Sequence, residues 1–93
     1  MRKQSAWQLF LKLCTQLKTE KQFNDFFELF LTINEREEIA TRYHIVKAMI
    51  DGKETQRDMA KKYKVSIAKI TRGSNQLKMT NKDFIQLLRE LMQ

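Results

Sequence analysis

Apolar residues recur three and four positions apart along almost the whole chain, and no proline interrupts them. That spacing is the 3.6-residue period of an amphipathic helix. Only two glycines, Gly52 and Gly73, punctuate the pattern. A chain of 93 residues written this way can be all-α and little else. Its length predicts a single domain over 1–93, with limited capacity to bury surface alone.

Six helices are predicted. The first runs from Ser5 to Thr19, with Trp7, Phe10, Leu11, Cys14 and Leu17 on one stripe. The second runs from Glu20 or Lys21 to Leu31. Its Phe23, Phe26, Phe27 and Phe30 follow the positions i, i+3, i+4 and i+7. So much aromatic surface on so short a chain predicts a core shared by two copies. Asn34, with Glu37 three residues on, reads as the N-cap of a third helix ending near Ile50. Ile39, Tyr43, Val46, Met49 and Ile50 are its expected apolar face, and Gly52 its left-handed stop. Thr55 and Asp58 form a capping box for a short fourth helix ending near Tyr63. Lys64-Val65 makes a tight turn, and Ser66 caps the fifth. Thr80 or Asn81 opens the last, where Phe84, Leu87, Leu88 and Leu91 are expected to face inward.

Two short helices joined by a tight turn are a helix-turn-helix pattern, here about 55–76. Met59, Ala60, Tyr63, Val65 and Ile70 would close a small core between them. Charge points the same way. The net +7 falls entirely in residues 41–93, because residues 1–40 carry equal numbers of basic and acidic side chains. Over 55–78, Arg57, Lys61, Lys62, Lys64, Lys69, Arg72 and Lys78 face only Asp58. This excess suits a polyanion partner. The bland alternative is a solvated basic face on a helical adaptor that binds protein.

Other classes fit poorly. His44 and Cys14 are the only histidine and cysteine and lie on different predicted helices. No nucleophile–base pair or metal cluster is legible. Asp51 and Glu54 flank a glycine turn but are too few carboxylates for a calcium loop. A lone cysteine suits a reducing compartment. The start MRKQSAWQLF lacks the apolar run of a secretory signal, and no run reaches the roughly 18 apolar residues of a membrane span. The expectation is a cytoplasmic protein with no membrane partner.

The stretch TQRDMAKKYKVSIAKITRGSNQLK, from Thr55 to Lys78, resembles the helix-turn-helix of the bacterial tryptophan repressor family, and ITRGSN is a specific signature of it. The upstream ERE and TRYHIV resemble its central helix. The likeness is clearest from Leu29 to Lys78, while helix count and length agree over the whole chain. It implies a six-helix, intertwined homodimer without enzymatic activity. Such a protein binds L-tryptophan as corepressor and then operator double-stranded DNA, regulating tryptophan biosynthesis or uptake genes. A related regulator with another ligand, or none, is the alternative.

The resemblance also assigns residues. Arg72 would hold the ligand carboxylate, since a guanidinium fork makes two parallel charge-assisted bonds to it. Arg42 would cover an indole face. Leu29, Leu31 and Thr32 of the other subunit would receive the ligand amino group. Gly73 would lie beside the ring, which gives a reason for a glycine inside a helix. Gln76 replaces the serine found near the ligand ammonium in the best-known member. For DNA, Arg57 would contact guanine, and Ile67, Ala68, Lys69 and Thr71 would face the operator. Gln56 and Ser66 would lie near phosphates. Lys64 stands where glycine is usual, and Lys69 where a neutral residue is.

Overall fold

The computed structural model describes residues 3–93. It is all-helical, with α1 at Ala6–Cys14, α2 at Glu20–Phe30, α3 at Ile33–Asp51, α4 at Gln56–Tyr63, α5 at Ile67–Met79 and α6 at Lys82–Leu91. No strand occurs among the described residues. No helix there is long and apolar enough to cross a membrane. The chain forms two compact units, one up to Arg36 and one over Glu37–Gln93.

In the first unit, Ser5 caps α1. Its hydroxyl accepts from the Gln8 N–H at 3.1 Å, and its own N–H donates to Gln8 Oε1 at 3.0 Å. The helix stops at Cys14, short of the expected Thr19. Thr19 is extended instead and caps α2, accepting from the Gln22 N–H at 3.1 Å. α1 is closed at Thr15, whose N–H donates to the Leu11 carbonyl at 3.2 Å and whose hydroxyl donates to the Lys12 carbonyl at 2.7 Å. Phe10 gathers the aromatic side chains. Its ring lies 5.5 Å from Trp7, 5.2 Å from Phe26 and 5.3 Å from Phe30. Among the described residues of this unit only Phe26 is buried; Trp7 stays 65% exposed and Leu29 79%. Within one chain, therefore, Trp7 is not a core residue.

The cap of α3 is Thr32, not Asn34. The Thr32 hydroxyl accepts from the Glu35 N–H at 3.1 Å, and Glu35 Oε1 accepts from the Thr32 N–H at 2.8 Å. Both positions have a glutamate three residues on, so local spacing could not choose between them.

The second unit is built on Ile45, Ala48, Met59 and Ile70, with Met49, Ala60, Tyr63 and Val65 packed around them. This is the expected α4–α5 core with α3 as its third wall. The buried residues of α3 are Ile45, Ala48 and Ile50, whereas Ile39 and Tyr43 are exposed. Apolar side chains surround α3 on most sides, so its sequence carries no single stripe. Asn81 opens α6, accepting from the N–H groups of Asp83 and Phe84 at 2.8 and 3.2 Å. The expected inward Phe84, Leu87 and Leu91 are exposed within the single chain.

Two left-handed residues bound α4. Gly52, at φ +68°, ends α3 without strain. Lys64 ends α4 at φ 55° and ψ 44°, where its Cβ crowds the backbone. The turn is held by the Val65 N–H donating to the Ala60 carbonyl at 3.1 Å. Lys64→Gly is expected to stabilise the fold by about 1 kcal/mol. Thermal unfolding at fixed protein concentration checks this, and a lowered midpoint would contradict it.

Candidate nucleic-acid interface and ligand site

Thr55 sets the start of α4. Its hydroxyl accepts from the Asp58 N–H at 3.0 Å, which places Gln56 and Arg57 at the first exposed positions. Ser66 does the same for α5, accepting from the Lys69 N–H at 3.2 Å. Each cap hydroxyl keeps its own hydrogen as a donor. Ile70 then drops into the core at 0% exposure, which turns Ile67, Ala68, Lys69 and Thr71 outward. Ile67 stays 47% exposed. One bond ties the two helices beyond the core: the Thr71 hydroxyl donates to Gln56 Oε1 at 3.3 Å. It leaves both Gln56 amide hydrogens as donors.

The charge around this surface is unpaired. Of the seven basic residues over 55–78, Lys62 alone forms an ion pair among the described residues, with Glu54 at 3.0 Å. The Glu54 hydrogen bond, then its charge, raises the Lys62 pKa above the ordinary 10.5. Lys62 therefore keeps its charge at neutral pH. Six cations remain uncompensated: Arg57, Lys61, Lys64, Lys69, Arg72 and Lys78.

The ligand residues expected from sequence fall in both units. Arg42, Arg72, Gly73 and Gln76 belong to the second, and Leu29, Leu31 and Thr32 to the first. Arg42, Arg72 and Gln76 are exposed, and their side chains form no hydrogen bond or ion pair among the described residues. α5 runs unbroken through Gly73. A Cβ built there would meet Met49 Cε at 3.4 Å and Ile45 Cγ2 at 3.9 Å, so the glycine faces α3. Leu29 and Leu31 sit at the C-terminal end of α2, where carbonyls lack helical partners and the dipole favours a cation. The Thr32 hydroxyl and N–H are already engaged in the α3 cap.

Besides the Thr71–Gln56 bond, two further contacts are not legible in the sequence. Met49 lies against Gly73, and His44 stacks on Tyr63 with centroids 5.5 Å apart and planes 6° from parallel. Both cross between helices, and spacing along one helix does not show them.

Residues 5–92 match the family model described as Trp repressor protein. The chain belongs to the tryptophan repressor family. It is 49% identical over 87 residues to a protein named Trp operon repressor homolog from Chlamydia trachomatis serovar L2, covering 94% of this chain and 93% of that one. A protein of the same name from Chlamydia caviae is 50% identical over 88 residues, covering 95% and 87%. One from Haemophilus influenzae is 34% identical over 84 residues, covering 90% and 83%. Tryptophan repressors are regulatory, DNA-binding proteins and not enzymes, and this chain is a regulator of that type. The family match takes in the caps, the α4–α5 turn and the Arg72-Gly73 pair together.

Proposed function

We propose that the protein is a ligand-gated transcriptional repressor that binds operator DNA as a homodimer when L-tryptophan is bound. The observation that carries this is the division of α5. Ile70 anchors the helix inward, while Ile67, Ala68, Lys69 and Thr71 stand outward among six unpaired cations. An exposed helix of this kind suits the major groove, a docking mode that this family itself exemplifies. Arg57 would read guanine in bidentate fashion, and Gln56 and Ser66 would donate to phosphates. The exposed apolar side chains Trp7, Leu29, Phe30, Ile39, Leu87 and Leu91 support a second copy as partner. The entire chain would then act as one domain within that dimer, in the cytoplasm.

Ligand gating rests on Arg42 and Arg72. L-tryptophan would offer its carboxylate to Arg72 and an indole face to Arg42. Its ammonium would meet Leu29, Leu31 and Thr32 from the other subunit. A ligand held this way prefers the state in which two α5 helices are spaced by about 34 Å, one turn of DNA. Gln76 favours a second reading, a relative tuned to another ligand, because its exposed side chain is bulkier than serine. Calorimetry with L-tryptophan and indole analogues decides. Heat with tryptophan supports the first reading, and heat with an analogue alone supports the second.

Arg57→Ala is expected to weaken operator binding by about 1–3 kcal/mol per half-site while leaving binding to unrelated DNA nearly unchanged. Tryptophan affinity should not move. Fluorescence anisotropy on both DNAs measures the difference, and equal losses on both would make Arg57 a phosphate contact instead.

A further inference from the structure

We infer that Met49 is a specificity-determining residue for the aromatic ligand, its thioether tip forming a wall against the ring beside Gly73. The inference rests on the proposed tryptophan site and goes beyond it to a residue on α3. The missing Cβ of Gly73 is aimed at α3, and its nearest neighbours there are Met49 Cε at 3.4 Å, Ile45 Cγ2 at 3.9 Å and Met49 Sδ at 3.9 Å. Arg42, Ile45 and Met49 stand at i, i+3 and i+7, so they share one face of α3. The cation assigned to the indole and the thioether beside Gly73 therefore lie along one stripe. Their freedom differs. Ile45 is buried and branched at Cβ, hence fixed, whereas Met49 is half-buried at the edge of the core. Methionine is unbranched and polarizable, fills irregular gaps and packs well against ring edges. A ring laid on Gly73 would meet this adjustable tip, and the space that Met49 yields sets which ring substituents fit.

The test follows the Met49 methyl by NMR in protein carrying 13C-methyl methionine, with Met49→Leu used to assign its signal. L-tryptophan is titrated, and calorimetry compares L-tryptophan with 5-methyl-L-tryptophan on wild type and variant. The expected result is an upfield ring-current shift of the Met49 methyl. Met49→Leu should weaken tryptophan binding about twofold to tenfold, the worth of one sulfur–ring contact. It should also change the ratio of the two affinities, because leucine keeps the volume but branches earlier. Tryptophan binding without a methyl shift, or with both affinities unchanged in the variant, overturns the role of Met49 and leaves the ligand assignment standing. No tryptophan binding by the wild-type protein overturns the ligand assignment and the inference with it.

Discussion

Arg72→Ala is expected to remove the response of operator binding to tryptophan while leaving weak, salt-sensitive binding to any DNA. Arg72 is exposed, and its side chain forms no hydrogen bond or ion pair among the described residues. Its removal should therefore leave thermal unfolding within about 0.5 kcal/mol of wild type. The loss falls on the ligand. A guanidinium–carboxylate pair makes two charge-assisted bonds, each worth about 1.5–3 kcal/mol where water is excluded. Tryptophan affinity should then fall by at least about 2 kcal/mol, a factor of roughly 30. The remaining cations would still release counterions from DNA, so nonspecific binding persists and weakens with salt. Calorimetry and anisotropy separate the two effects. A variant that keeps its tryptophan response would move the ligand site elsewhere.

Ile70→Ala should produce the largest loss of stability of any single truncation in α5. Ile70 is the one residue at 0% exposure among the described residues, and it meets Ile45, Ala48 and Met59. Cutting a buried isoleucine to alanine costs about 2–5 kcal/mol, because neighbours relax only partly into the cavity. That is a large share of the roughly 5–15 kcal/mol that holds a domain together. Urea denaturation followed by circular dichroism measures it. Ile67→Ala, on the outer face of the same helix, provides the contrast. It should shift stability by no more than about 0.5 kcal/mol yet weaken operator binding. The reverse pattern would mean that the inner and outer faces of α5 have been exchanged.

The helices were legible in the sequence because their ends carry local chemistry. Thr55 with Asp58, Ser66 with the Lys69 N–H, Asn81 and Gly52 each act over three or four residues, a range that spacing can read. Where two positions offered the same chemistry, spacing failed. Thr32-Glu35 and Asn34-Glu37 are equivalent patterns, and only Thr32 caps α3. Packing was less legible than local structure. α3 has apolar residues on several faces, and the face expected from spacing took in Ile39 and Tyr43, which are exposed, and left out Ile45 and Ala48, which are buried. The stripe on α6 was legible as apolar, but what covers Phe84, Leu87 and Leu91 is not a property of one chain.

The candidate site divides in the same way. The basic excess over 55–78 needed only counting. The roles of Arg42, Arg72 and Gly73 came from family resemblance, because no spacing rule marks an arginine as a carboxylate clamp. Met49 and the Thr71–Gln56 bond required three dimensions, since each joins two helices. Packing of α5 on α3 does not by itself require the glycine, because a Cβ at Gly73 would make ordinary van der Waals contact with Met49 at 3.4 Å and Ile45 at 3.9 Å. The helix-interior cost of about 1 kcal/mol relative to alanine is therefore left to the proposed ligand to explain.

In the proposed function, tryptophan and operator DNA are coupled through α4 and α5. Operator affinity measured by anisotropy at one salt concentration, with and without saturating L-tryptophan, tests it most directly. A coupling free energy of about 1–3 kcal/mol would tighten operator binding by roughly 5-fold to 150-fold, and DNA should tighten tryptophan binding by the same factor. Equal operator affinity in the two conditions would contradict the claim and leave a DNA-binding protein that does not answer to tryptophan.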